Sequence, residues 1–72
     1  MKRSAAIIKE RDQALKNRLF LRNSRDECRH YARMFPNYDL VDWDERIQRW
    51  EDWLAANAER VNDLNRQLME AS

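Results

Sequence analysis

The sequence predicts an all-α protein folded as an antiparallel helical hairpin. The 72 residues include no glycine and a single proline, Pro36, whereas turns and sheets that need positive φ favour glycine. The better helix formers, namely Ala, Leu, Arg, Glu, Gln and Lys, are abundant. Apolar residues also recur at seven-residue spacing in both halves of the chain, which is typical of helices that pack along their length.

The first helix is predicted over residues 4–34. It ends before Pro36, because the residue that precedes a proline is disfavoured in the α region. The sequence Ser24-Arg25-Asp26-Glu27 resembles a capping box, so a break near Ser24 would give three helices instead of two. We favour a continuous helix, because the seven-residue apolar spacing passes through this site.

A loop over residues 35–41 and a second helix over residues 42–71 complete a single domain, 1–72. Asp39 and Asp42 are the two candidates for the N-cap of the second helix, and Asp42 forms a capping-box pair with Glu45. Each helix has about 30 residues and is about 45 Å long at 1.5 Å per residue. Equal lengths joined by a short loop favour antiparallel pairing.

The second helix carries two series at seven-residue spacing that together form an apolar stripe over four heptads and predict a bundle core. One series is Ile47, Leu54, Val61 and Leu68, and the other is Trp43, Trp50, Asn57, Leu64 and Ala71. Trp43 and Trp50 are large for a two-stranded seam and favour either a wider core, such as a four-helix bundle, or a groove that receives another molecule. Asn57 interrupts the stripe. It either sets the helix register from a buried position or lies at the edge while the stripe rotates onto Ala58.

The first helix carries two apolar ridges. The first contains Ile8, Leu15 and Leu19, and the second follows the spacing Ile7, Ala14, Leu21, Cys28, Phe35. One ridge can pack on the second helix and leave the other for a further contact, as in a bundle of three or more helices. Antiparallel pairing is expected to bring Ile8 near Leu68 and Leu15 near Val61. The residues predicted to form the core and the oligomer contacts are Ile8, Leu15, Leu19, Ile47, Trp50, Leu54, Val61, Leu64 and Leu68.

The small size of the chain predicts self-association. A domain this short buries only about 60% of the surface that its unfolded chain exposes, and it usually needs a disulfide, a metal or a partner subunit. Cys28 is the only cysteine and His30 the only histidine, which leaves neither an internal disulfide nor a four-ligand zinc site. We therefore expect a homodimer that forms a four-helix bundle. The composition predicts neither a membrane span nor a signal peptide, and a lone cysteine suits the cytoplasm.

The net charge of +1 conceals an asymmetry between the two halves. Residues 1–34 carry ten basic and four acidic side chains, whereas residues 35–72 carry four basic and nine acidic ones. Six arginines of the first helix fall within a narrow strip, the arginine strip: Arg11, Arg18, Arg22, Arg25, Arg29 and Arg33. We expect the acidic helix to neutralise much of it, with Arg18 near Glu59 and Arg25 near Glu51 and Asp52. The alternative is that the strip binds nucleic acid. The residues that would do so are Arg18, Arg22, Arg25, Arg29 and Arg33.

No residue pattern predicts catalysis, a metal or a cofactor. Cys28 and His30 are two residues apart and point to nearly opposite sides of a helix, so they cannot act together. The acidic residues near the start of the second helix are explained by capping. The predicted function is therefore a non-catalytic protein–protein interaction module, acting as a regulatory, adaptor or inhibitor protein. The residues predicted to meet the partner protein are Phe35, Tyr38, Trp43 and Trp53.

Overall fold

The computed structural model describes residues 2–38 and 40–71 (of Lys2, the main chain only), and it is a two-helix hairpin. Helix α1 spans Lys2–Met34 and helix α2 spans Trp43–Ala71. The two helices pack against each other along a rod whose principal extents are 54 × 14 × 14 Å. The predicted all-α hairpin is confirmed.

Helix α1 continues through Asn23 and Ser24 without a break, so the three-helix alternative is wrong. The helix is held across this point by contacts with α2. Cys28 is buried one turn beyond Ser24, and Arg25 forms an ion pair with Glu51 of α2 at 3.7 Å. Tertiary contacts therefore outweigh the local capping signal at Ser24.

Short-range hydrogen bonds define the ends of the connection. The amide of Phe35 donates to the carbonyl of Tyr31 at 2.8 Å, which closes the last turn of α1. Asp42 is the N-cap of α2, because its carboxylate accepts a 3.0 Å hydrogen bond from the amide of Glu45. The other candidate cap, Asp39, lies outside the described residues.

The core of the hairpin is thin. Among the described residues five apolar side chains are buried, and Leu64, 1% exposed, is the most deeply buried of them. The buried residues are Ile7, Ala14, Cys28, Val61 and Leu64. All of them except Cys28 form one cluster, and the partly buried Leu68 packs against it. The hairpin thus buries one narrow stripe from each helix.

The ridge of α1 that faces α2 contains Ile7 and Ala14, which pack with Val61 and Leu64. Ile8, Leu15 and Leu19 of the other ridge stay about half exposed in this chain. We expected Ile8 and Leu15 to face the second helix. The residues one position earlier, Ile7 and Ala14, face it instead. Adjacent residues on a helix are 100° apart, so Ile7 and Ile8 cannot both face α2.

The other residues predicted to form the core lie on the side of α2 that faces α1, but they are buried to different extents. Val61 and Leu64 are buried. The other four, Ile47, Trp50, Leu54 and Leu68, are only partly buried. Partial burial along most of the α2 stripe indicates that a single α1 helix is too narrow to cover it.

Candidate interaction surfaces

One side of the hairpin carries a chain of aromatic contacts that joins the two helices. Phe20 of α1 meets Trp50 of α2 edge to face, with ring centroids 6.3 Å apart. Trp50 in turn meets Trp53 at 4.9 Å in the same T-shaped geometry, which suits the quadrupoles of the rings. Phe20 remains 64% exposed and Trp53 remains 47% exposed. The cluster is therefore anchored by Trp50 and open to solvent at both outer rings.

A cavity of about 280 Å³ adjoins this cluster on the side nearer the loop. Its walls come from both helices, with Tyr31 and Cys28 on α1 facing Trp43 and Trp50 on α2, and Arg46 is also in the lining. We call the surface formed by Phe20, Tyr31, Trp43, Trp50 and Trp53 the aromatic flank.

Trp43 is positioned within the aromatic flank by a main-chain contact. Its indole N–H donates a 3.0 Å hydrogen bond to the carbonyl of Phe35, just past the end of α1. The same carbonyl also accepts a 3.2 Å hydrogen bond from the amide of Tyr38, so the indole is its second donor. The indole hydrogen bond also fixes the ring of Trp43 against the cavity wall.

The opposite side of α1 carries the ridge of Ile8, Leu15 and Leu19. Leu15 and Leu19 line a shallow cleft together with Arg18 and Arg22. We call the surface formed by these five residues the aliphatic flank. It differs from the aromatic flank in charge, because its apolar side chains are interleaved with arginines.

The arginine strip is neutralised in part. Glu51 of α2 pairs with Arg25 at 3.7 Å and with Arg29 at 2.5 Å, so the expected contact of Arg25 is present. Arg11 lies 3.6 Å from Asp12, its neighbour on the same helix.

Within residues 2–38 and 40–71, Arg18, Arg22 and Arg33 form no ion pair, and Arg18 does not reach Glu59 as expected. Three of the five arginines predicted for nucleic acid thus keep an uncompensated charge in the described part of the chain.

The four residues predicted to meet a partner separate into two groups. Trp43 and Trp53 belong to the aromatic flank, on either side of Trp50. Phe35 and Tyr38 lie at the loop end, where both are about half exposed beside a shallow depression lined by residues 34–38. The hydrogen bond from the Trp43 indole to the Phe35 carbonyl links the two groups.

Phe20 is the functional candidate that the sequence reasoning missed. It belongs to neither seven-residue ridge of α1, so periodicity alone gives it no role. Its contact with Trp50 depends on the rotation and alignment of the two helices, for which the sequence carries no separate signal.

Titratable groups in the described part of the chain form no reactive constellation. No group of three or more His, Cys, Asp or Glu side chains there is arranged to hold a metal ion. Cys28 is buried, while His30 is exposed and packs edge to face on Tyr31 at 5.9 Å. The pKa of Asp63 is lowered from its usual value, first because Arg66 and then because Gln67 donate hydrogen bonds to its carboxylate. These are the contacts of a solvated helix surface.

Neither helix, over the described residues, is long and apolar enough to cross a membrane. Comparison of the chain with protein-family models, with curated proteins and with solved structures gave no match. The two flanks themselves are therefore the basis for assigning a function.

Proposed function

We propose that the chain is a non-catalytic protein–protein interaction module that works as a dimer of hairpins forming a four-helix bundle. In this role it acts as a regulatory, adaptor or inhibitor protein, by occupying the surface of a partner protein. The observation that carries the proposal is the amount of apolar surface that one hairpin leaves uncovered on both of its flanks.

The surface area supports this reading. One chain exposes 5994 Å², whereas a compact monomer of its mass exposes about 4,800 Å², an excess of about 1,200 Å². A specific interface of standard size buries about 800 Å² on each partner. The excess is therefore larger than the area that one such interface would bury on each chain.

The kind of residue exposed also supports binding. Tryptophan and tyrosine are enriched at the energetic centres of protein interfaces, because they bury a large area at a low cost in conformational entropy. Trp53 and Tyr31 are both about half exposed on the aromatic flank, and Trp50 already holds Trp53 in a fixed contact. An ordered, half-exposed tryptophan is well suited to dock on another surface.

The proposal is tested by measuring mass and partner binding together. Sedimentation velocity over a wide concentration range should give twice the mass of one chain, with a monomer appearing only on dilution. If one flank forms the dimer and the aliphatic flank meets the partner protein, a Leu15→Asp/Leu19→Asp variant should keep that mass and its helicity but lose the proteins that the wild type captures. A monomer at every concentration would contradict the proposal. So would capture of the same proteins by the wild type and by the Leu15→Asp/Leu19→Asp variant.

A second candidate function is nucleic-acid binding through the arginines. The observation in its favour is that Arg18, Arg22 and Arg33 have no ion-pair partner among the described residues, and phosphate affinity needs uncompensated cations. Protein purified at low salt should then show a raised 260/280 nm absorbance ratio that falls after a high-salt wash. Arg18→Glu/Arg22→Glu should remove the bound nucleic acid, whereas Arg29→Gln, which alters an arginine already paired with Glu51, should affect binding less. A low ratio at low salt would exclude this second function.

A further inference from the structure

We propose that the aromatic flank is the self-association surface, and that a second copy of the chain docks there in antiparallel orientation, with Ser24 of both copies close to the two-fold axis. This inference rests on the dimer of the proposed function, and it assigns the surface, the orientation and the contacts.

The charges along α1 favour a second copy at the aromatic flank. On this side α1 carries Gln13, Asn17, Phe20, Ser24, Glu27 and Tyr31, a series spaced by three and four residues that contains no lysine or arginine. Two α1 helices can therefore approach each other there without repulsion between cations, although α1 as a whole is strongly basic. The aliphatic flank would instead set Arg18 and Arg22 against their own copies, at a cost in free energy.

The aromatic flank is also complementary to itself. Phe20 projects one turn before Ser24, and the cavity lined by Cys28 and Tyr31 lies one to two turns after it. A two-fold rotation about an axis near Ser24 exchanges these two positions. The exposed ring of Phe20 in one copy is thereby placed at the mouth of the cavity in the other, and the reverse contact forms by symmetry.

The same rotation produces a second matched pair on α2. Ser24 and Trp50 line the same cavity, which places residue 50 of α2 beside Ser24. Trp53 and Arg46 then lie on the two sides of the axis, each about one turn from it. Arg46 forms no ion pair within the described residues, so its guanidinium is free to lie over the indole of Trp53 in the other copy.

Ser24 suits a position close to the axis. It is half-buried at the edge of the cavity, and its side chain is small. Antiparallel helices that pack at the usual 8–10 Å need small or interlocking side chains at the point of closest approach. The aliphatic flank stays on the outside of this dimer, where Arg18 and Arg22 can meet an acidic surface of another protein.

The decisive experiment is single-cysteine cross-linking. In a Cys28→Ser background, Ser24→Cys should form a covalent dimer rapidly under mild oxidation, because two cysteines near a two-fold axis come within disulfide range. Leu15→Cys in the same background is the matched control on the aliphatic flank and should stay mostly monomeric on a non-reducing gel. Circular dichroism of both proteins checks that the helices are intact.

The possible outcomes distinguish whether a dimer forms from which surface forms it. A wild-type chain that sediments only as a monomer would overturn the dimer and this interface together. A dimer that cross-links through Leu15→Cys and not through Ser24→Cys would overturn the interface alone and leave the dimer standing. Preferential cross-linking through Ser24→Cys supports both.

Substitutions at the proposed contacts provide a second readout that does not depend on introduced cysteines. Phe20→Ala should weaken dimerisation about 30-fold or more, as expected for an interface hot spot. Arg46→Glu should weaken dimerisation about 5-fold or more. Arg46→Lys should dimerise nearly as tightly as the wild type, because lysine keeps the cation. Arg66→Gln, which removes an arginine paired with Asp63 on its own helix and lies about four turns of α2 from the axis, is the matched control. Equal dissociation constants for the Arg46→Glu and Arg66→Gln proteins would contradict the cation–π pairing.

Discussion

The side-chain amide of Asn57 donates a 3.0 Å hydrogen bond to the main-chain carbonyl of Ala14, across the interface between the two helices. Asn57 is partly buried, and its side-chain oxygen is buried without a partner among the described residues. Only one alignment of the helices brings this amide to that carbonyl. The bond therefore selects the register of the hairpin, while the unpaired oxygen lowers its stability.

We expect Asn57→Leu to raise the stability of the hairpin by about 1 kcal/mol, because one hydrogen bond is lost while an unpaired buried oxygen is removed and apolar contact is gained. The same change should make the register less specific. Urea unfolding at fixed protein concentration measures the stability, and nuclear magnetic resonance counts the conformers. Asn62→Leu, at an exposed site of the same helix, controls for helix propensity. A variant that is less stable than the wild type would show that the hydrogen bond outweighs the unpaired oxygen.

The helices and their pairing could be predicted from the sequence because they depend on local signals. Pro36, the absence of glycine and the seven-residue apolar spacing specify two helices and a connection. The position of Asn57 could not be decided, because Asn57 and Ala58 are 100° apart and either could lie at the edge of the stripe. Its place against Ala14 depends on the rotation of both helices, which the pattern of one helix does not contain.

Which of the two ridges of α1 faces α2 could not be predicted from the sequence either. Both have apolar residues at helical spacing, and the sequence contains no local reason for Ile7 to face α2 and Ile8 to face outward. The structure favours the ridge of Ile7 and Ala14, whose small Ala14 side chain leaves room for Asn57. Phe20 was missed for a related reason, because its contact with Trp50 is visible only once the two helices are aligned.

Leu64 should be the most sensitive core position of the hairpin. It is the most deeply buried side chain of the described residues, and it packs with Ile7, Ala14 and Val61. Leu64→Ala should lower the free energy of unfolding by about 3 kcal/mol, since the small core cannot collapse to fill the cavity. Leu40→Ala is the control, because Leu40 is 85% exposed in the connection. Similar unfolding midpoints for the two variants would mean that the core of the hairpin lies elsewhere.

Glu51 should contribute to stability in a manner that depends on salt. It receives both Arg25 and Arg29 from the neighbouring helix, and all three side chains are partly exposed. Glu51→Gln should lower the free energy of unfolding by no more than about 1 kcal/mol, and the difference should shrink as salt screens the pairs. Asp52→Asn, which removes a carboxylate that accepts a hydrogen bond from Gln48, is the control. A difference that persists undiminished in molar salt would indicate packing by Glu51 instead of ion pairing.

Asp63 should make the stability of α2 depend on pH at the acid end. Its pKa is lowered in the folded state by hydrogen bonds from Arg66 and Gln67, so folding favours the ionised carboxylate. The resulting stabilisation is present above the pKa of an unfolded aspartate and is lost as pH falls through the lower pKa of the folded state. Thermal unfolding of the wild type and of Asp63→Asn should therefore differ near neutral pH and converge in acid. Carboxylate titration by nuclear magnetic resonance should also show the pKa of Asp63 rising in Arg66→Gln. An Asp63 pKa that is the same in both proteins would contradict the assignment of Arg66 as its main cause.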